Sequence, residues 1–172
     1  MWGLGGQSGH IMTVISTLAK ARIDPSGYDA GKKIKGEKRH AAVDTQGLMI
    51  GLVVTPASVQ DRDAIAPMLR ITKRLFPGLK GALADGCYQG AATANAVLRA
   101  AGLPLEIVKR SDKPGFHIVP KRWIVERTFG WLGRCRRLAK DFETFSATHA
   151  AFVVLAMIRL MLRRIVRLRS AS

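Results

Sequence analysis

The sequence predicts an α/β fold, a sheet with helices packed on it, and three observations carry that expectation. Short apolar runs bounded by turn residues recur between residues 39 and 108. Helical stretches alternate with them from residue 61 onward. Two further helical stretches close the chain, an order that suits a sheet covered by helices.

The elements follow in chain order. Residues 1–19 are Gly-rich, then briefly apolar from Ile11 to Leu18, with no acidic residue and no clear period. Ala21 to Gly36 reads as a loop, with Asp24-Pro25-Ser26-Gly27 as its turn signal and a basic tail at Lys32, Lys33 and Lys35. Arg39–Val43 and Leu48–Val54 flank Asp44-Thr45-Gln46-Gly47, which predicts a β-hairpin. Asp61 and Asp63 suit a helix N-terminus, and Phe76-Pro77-Gly78 stops that helix. Gly81–Ala84 is a short strand that delivers Asp85 to its C-terminal edge. Ala91–Ala101 is helical and ends at Gly102, Leu105–Val108 is a strand, and Pro120 precedes a helix from Arg122 to Lys140. Thr148–Leu168 is a last helix, apolar in its first half and basic in its second.

Composition narrows the partner. The 172 residues are 48% apolar, which suits a folded core and excludes a disordered chain. Lys and Arg number 28 against 12 Asp and Glu, a net charge of +16. A compact domain with that charge repels itself unless an anionic partner neutralises it, and nucleic acid is the commonest one. Cys87 and Cys135 stand alone, against a zinc site or a disulfide framework. Ala150–Ile158 is too short to cross a bilayer, which takes roughly 20 apolar residues. No signal peptide is visible, so the expected location is the cytoplasm.

The helix from Arg122 sorts its residues onto two faces. Ile124, Thr128, Trp131, Cys135 and Leu138 make a mostly apolar stripe, while Arg122, Glu126, Gly130, Arg134 and Arg137 make another. Glu126 has two readings on its own: an ion pair with Arg122 worth a few tenths of a kcal/mol, or a metal ligand beside a phosphate groove. Asp85 likewise reads as a turn residue or as a strand-end carboxylate for a hard divalent ion. Lys32, Lys33, Lys35, Lys38 and Arg39 form one basic cluster, and Arg134, Arg136, Arg137 and Lys140 another. Both suit phosphate contacts, which position DNA without reading its sequence. The four histidines show no ligand spacing, and structural or surface roles are expected of them.

Several longer blocks, in order, resemble one family. They are GYDAGKKIKG from Gly27, Lys38-Arg39-His40, VDTQG from Val43, PASVQDRD from Pro56, ADGCYQG from Ala84 and PKRWIVERTFGWL from Pro120. Together they are similar to bacterial insertion-sequence transposases of the DDE class, IS-four and IS-five type, over about residues 21–168. The resemblance implies a ribonuclease-H-like mixed sheet with flanking helices. It implies a site where two Asp and one Glu bind Mg²⁺, or Mn²⁺ in its place, for cleavage and transfer of DNA strands. Asp85 matches the second Asp, Glu126 the Glu and Arg122 the Arg four residues before it. Tyr88 matches the aromatic after the second Asp. The implied partners are transposon ends, target DNA and a second copy in a homodimer.

The chain also departs from that pattern. Val119 and Gly133 stand where the family often has Tyr and Lys, and Cys87 where it more often has Gly. No Asp occurs in residues 1–20, and Asp24, Asp29 and Asp44 do not match the family's first Asp. The expectation is therefore a catalytic domain over residues 21–172, incomplete at its front, with the first strand missing and residues 1–20 unmatched. Two further readings stand beside the enzyme: a non-catalytic DNA-binding remnant, and a basic structural protein of ribosome or chromatin type.

Overall fold

A computed structural model of the chain describes residues 10–20, 27–31, 33–108, 122–139, 143 and 145–170. The described strands are β1 His10–Lys20, β2 Gly27–Asp29, β3 Ile34–Val43, β4 Met49–Pro56, β5 Leu79–Ala84 and β6 Leu105–Ile107. The helices are α1 Asp61–Leu75, α2 Ala91–Ala101, α3 Arg122–Gly133, α4 Arg136–Ala139 and α5 Ser146–Ser170. One mixed sheet has the order β2-β3-β1-β5-β6, and β4 also pairs β3. Strand β3 meets β2 through Ile34–Gly36 and β4 through Glu37–Val43, so both short partners share its outer edge.

The two layers follow from the period of two along each strand. Val14 of β1, Ala42 of β3 and Ala82 and Ala84 of β5 face α1 and α2, where they pack with Ile65, Met68, Leu69 and Val97. Ala41 and Val43 of β3 face the other way, against Ile124 of α3. On that second side, Leu132 and Leu138 meet Val153 and Met157 of α5.

The hairpin forms where its turn chemistry placed it. Asp44 Oδ1 accepts from the Gln46 and Leu48 amides, each at 2.8 Å, which closes the turn locally. Gly47 has φ 78°, and a Cβ there would lie 2.8 Å from Thr128 Oγ1. The close approach has a purpose. The Thr128 hydroxyl sits 2.8 Å from the Gly47 carbonyl and pins α3 to the hairpin tip.

Two expectations are corrected. The first strand is present: Thr13–Lys20 of β1 pair antiparallel with β3, and Ile11–Thr13 pair parallel with β5, at the centre of the sheet. A central strand needs backbone partners on both edges and apolar side chains on its buried faces, and neither requires an Asp. The helix from Arg122 also does not run unbroken to Lys140; it stops at Gly133, and a turn at Arg134 and Cys135 precedes α4. Leu132 and Leu138 lie six residues apart, about 120° around a continuous helix. The break brings both onto α5, and Gly130 and Gly133 lower the cost of interrupting the helix. A smaller difference is that β2 and the start of β3 occupy part of the segment read as a loop.

Candidate active site and nucleic-acid interface

Asp85 follows β5 immediately and caps the 3-10 turn Gly86–Tyr88, its Oδ1 accepting from the Cys87 amide at 3.0 Å. The carboxylate is exposed, while Tyr88 beside it is buried in the α1-side core. Strands β1 and β5 run parallel, and the chain leaves them toward opposite edges of the sheet, to β3 and to β6. In open α/β sheets the crevice beyond the carboxyl ends at such a switch point is where ligands bind. Asp85 stands directly after the carboxyl end of β5.

Helix α3 approaches the same level from one face. Ile124 packs on Ala41 and Val43, which pair with Ile15 and Thr13 of β1, and Thr13 in turn pairs with Leu83 of β5. Glu126 is on α3 two residues after Ile124; its side chain, like that of Arg122, lies outside the described parts. By alternation, Thr13 lies on the α3 side of the sheet and Val14 on the α1 side. Thr13 is thus a β1 position that shares a face with α3.

Among the described residues, no three His, Cys, Asp or Glu side chains gather as a metal site of three carboxylates would need. β1 reads HIMTVISTLAK and offers no carboxylate at all. With Asp85 and Glu126 as the two acids that the resemblance implies, a set of three would still lack one oxygen anion.

The first basic cluster divides. Lys33 and Lys35 are exposed in the turn and first residues before the buried part of β3. Lys38 and Arg39 are corrected as phosphate contacts, because both are buried and held inside the fold. Lys38 Nζ lies 3.0 Å from Asp29 and 3.5 Å from Asp61 and donates to the Val59 carbonyl. Arg39 donates to His149 Nε2 and to the Leu138 carbonyl, 3.3 Å away. A buried cation without such partners costs several kcal/mol, so these charges are committed to the interior. Lys32 and Lys140 lie outside the described residues. Arg134, Arg136 and Arg137 are exposed at the α3–α4 junction, Arg137 pairing with Glu143 at 2.5 Å and lying over the Phe152 ring.

A buried polar network was not legible in the sequence. His149 of α5 is 2% exposed, its Nδ1 is 2.9 Å from Glu37 Oε2, and its Nε2 accepts from Arg39. Those partners place the ring proton at Nδ1. Ser146 donates to the other Glu37 oxygen. Glu37 and Arg39 fall on the α5 side of β3, Lys38 and His40 on the α1 side. The one sequence signal was the run Glu37-Lys38-Arg39-His40 directly before the apolar Ala41-Ala42-Val43. His40 is fully buried, with Nε2 2.9 Å from the Thr55 hydroxyl. Burial holds its pKa below the ordinary value; Asp61 opposes this and Lys38 adds to it.

Comparison with known proteins agrees with this architecture. The family model described as Transposase DDE domain matches residues 12–161. A putative transposase for insertion sequence element IS402 from Burkholderia cepacia is 32% identical over 128 residues. That alignment takes in 70% of this chain and 60% of the relative, so the chain spans less than two thirds of the relative's length. Among solved structures, a chain of the simian T-cell lymphotropic virus intasome in complex with PP2A regulatory subunit B56 gamma superposes with TM-score 0.53 at 14% identity. The superposition covers 87% of this chain and 47% of that one. The catalytic core domain of BIV integrase gives TM-score 0.48 at 14% identity, over 88% of this chain and 82% of its own. The fold is ribonuclease-H-like, a mixed sheet with flanking helices. Among the described residues, no helix is long and apolar enough to cross a membrane.

Proposed function

Because the chain belongs to the transposase DDE domain family, we propose that it acts on DNA in insertion-sequence transposition, engaging transposon-end and target phosphodiesters. Asp85 and Glu126 are the two positions proposed as acids for a divalent ion, Mg²⁺ by preference. Lys33, Lys35, Arg122, Arg134, Arg136 and Arg137 are proposed to contact phosphates, with Lys32 and Lys140 extending the two clusters. The charge of +16 supports a polyanionic partner.

One observation supports a reading of how far the chemistry goes in this chain. The central strand is in place, yet it carries no carboxylate on the side that faces α3. Precise placement of attacking and leaving oxygens depends on the complete ligand set, so losing one ligand costs most of the rate. The reading favoured is therefore a DNA-binding member of the family that has lost strand cleavage.

The test is nicking of labelled transposon-end duplex with Mg²⁺ or Mn²⁺. The chain as it stands is expected to bind the duplex salt-sensitively and leave it uncut, and Thr13→Asp to restore measurable nicking. Nicking by the unaltered chain, abolished by Asp85→Ala, would overturn the loss of cleavage and leave the full enzyme as the reading.

A further inference from the structure

A groove of about 490 Å³ opens between the hairpin tip, α3 and the end of α5, lined by Thr45, Gln46, Arg127, Arg164, Arg167 and Leu168. Its lining includes neither Asp85 nor a member of the two basic clusters described above, and three of its six lining residues are arginines. Trp131 organises two of them. The Arg127 guanidinium carbon is 4.9 Å from the Trp131 ring centroid and that of Arg164 is 4.3 Å. Arg127 also donates to the Gln46 carbonyl, which fixes it against the hairpin turn. Stacking on an indole holds a guanidinium in one orientation without neutralising its charge.

The local balance is strongly cationic. Burial lowers the Arg127 pKa, the Arg164 charge lowers it further, and Asp44 opposes both. The Asp44 carboxylate already accepts two turn amides through Oδ1. Helix α5 carries no Asp or Glu anywhere in its 25 residues. Two like charges gathered on one ring are an arrangement that a bound anion relieves, and guanidinium forks match phosphate oxygens bidentately.

We infer that this groove is a seat for a backbone phosphate of nucleic acid, held by Arg164 and Arg167 and backed by Arg127 and the Thr45 hydroxyl. The inference rests on the DNA-engaging reading above and adds a contact surface at the hairpin tip, where Arg127 and Thr45 join Arg164 and Arg167 of the basic end of α5.

The experiment is anisotropy of a labelled 20-base-pair duplex against the full chain across a NaCl series, with folding checked by circular dichroism. Each lost phosphate contact lowers the slope of log K against log salt by roughly 0.9, so Arg164→Gln with Arg167→Gln should lower it by about 1.8. Arg62→Gln with Arg74→Gln on α1, across the sheet, should leave the slope unchanged. Arg167→Gln alone, at an exposed position, covers the case in which the double variant misfolds; its expected change is about 0.9. Equal slopes in groove and control variants would overturn the groove while the functional reading stands, whereas absence of duplex binding by the unaltered chain would sink both. Broadening of the inorganic phosphate ³¹P signal that depends on Arg164 and Arg167, without any change in the duplex slope, would reassign the groove to a free anion and overturn the nucleic-acid assignment.

Discussion

β1 and β5 lie side by side at the centre of the sheet, run in the same direction and bury apolar residues on the same α1-facing side. They differ at the level where they face α3. β5 is followed at once by Asp85, an exposed carboxylate, while β1 passes the same region as Thr13, Val14 and Ile15. A strand is recruited to a sheet by backbone hydrogen bonds and alternating apolar residues, and many sequences meet those demands. A divalent ion asks for particular oxygens at particular positions, and few sequences meet that. On the proposed reading, fold and chemistry are separable within one pair of strands.

The sharpest way to break this comparison is to put a carboxylate on the wrong side of β1. Val14 is 2% exposed in the core against α1, so Val14→Asp buries an unpaired charge and should cost about 4 kcal/mol. A urea titration reads it; a loss under about 1 kcal/mol would mean that the two sides of β1 have been assigned the wrong way round. The opposite side should behave differently. Thr13→Asp should fold and acquire a stabilisation by Mg²⁺ or Mn²⁺ of about 2.7 kcal/mol at an ion concentration a hundred times its Kd. Thermal unfolding with and without the ion measures it, and the gain should vanish when Asp85→Asn is added.

Strand β3, the other neighbour of β1, extends the contrast, because its ionisable residues serve the interior. His40 has a folded-state pKa below its ordinary 6.5, so the unfolded chain takes up the proton first as pH falls. The stability contributed by the neutral ring is present in full above pH 6.5 and is lost as pH falls through the depressed folded value. The loss is at most about 1.4 kcal/mol for each pH unit. Melting curves between pH 7.5 and pH 5.5 should show a shallower decline for His40→Gln than for the unaltered chain. The smallest effect belongs to Asp85 as a cap. Asp85→Ala removes the acceptor for the Cys87 amide and should cost about 1 kcal/mol, readable as a modest shift in the urea midpoint. A larger loss would give Asp85 a structural weight that its exposed position does not suggest.

Much of the fold was legible because it is written locally. Asp44 to Gly47 marked the hairpin, Asp61 and Asp63 the start of α1, and Gly102 the end of α2, where it adopts φ 64°. Each signal depends on a residue's own backbone preference or on partners a few residues away. Residues 10–20 were harder. Their pattern carries no turn, cap or acid, and their place in the sheet depends on β3 and β5, which are distant in sequence. The break after Gly133 was hidden for a similar reason, since it is α5 that draws Leu132 and Leu138 to one side.

For the site, residue pattern left Asp85 and Glu126 open until the family resemblance singled them out, while the two basic clusters and the lack of any Asp in residues 1–20 could be read directly. Only the assembled molecule separated surface cations from interior ones. Lys38 and Arg39 sit in the same basic run as Lys33 and Lys35, yet they close on Asp29, Asp61 and His149 instead of facing solvent. Charge is a property of the residue and can be counted in the sequence. Whether that charge meets water, a carboxylate or a phosphate depends on which remote elements fold over it, as α5 does over Glu37 and Arg39 and as Trp131 does between Arg127 and Arg164.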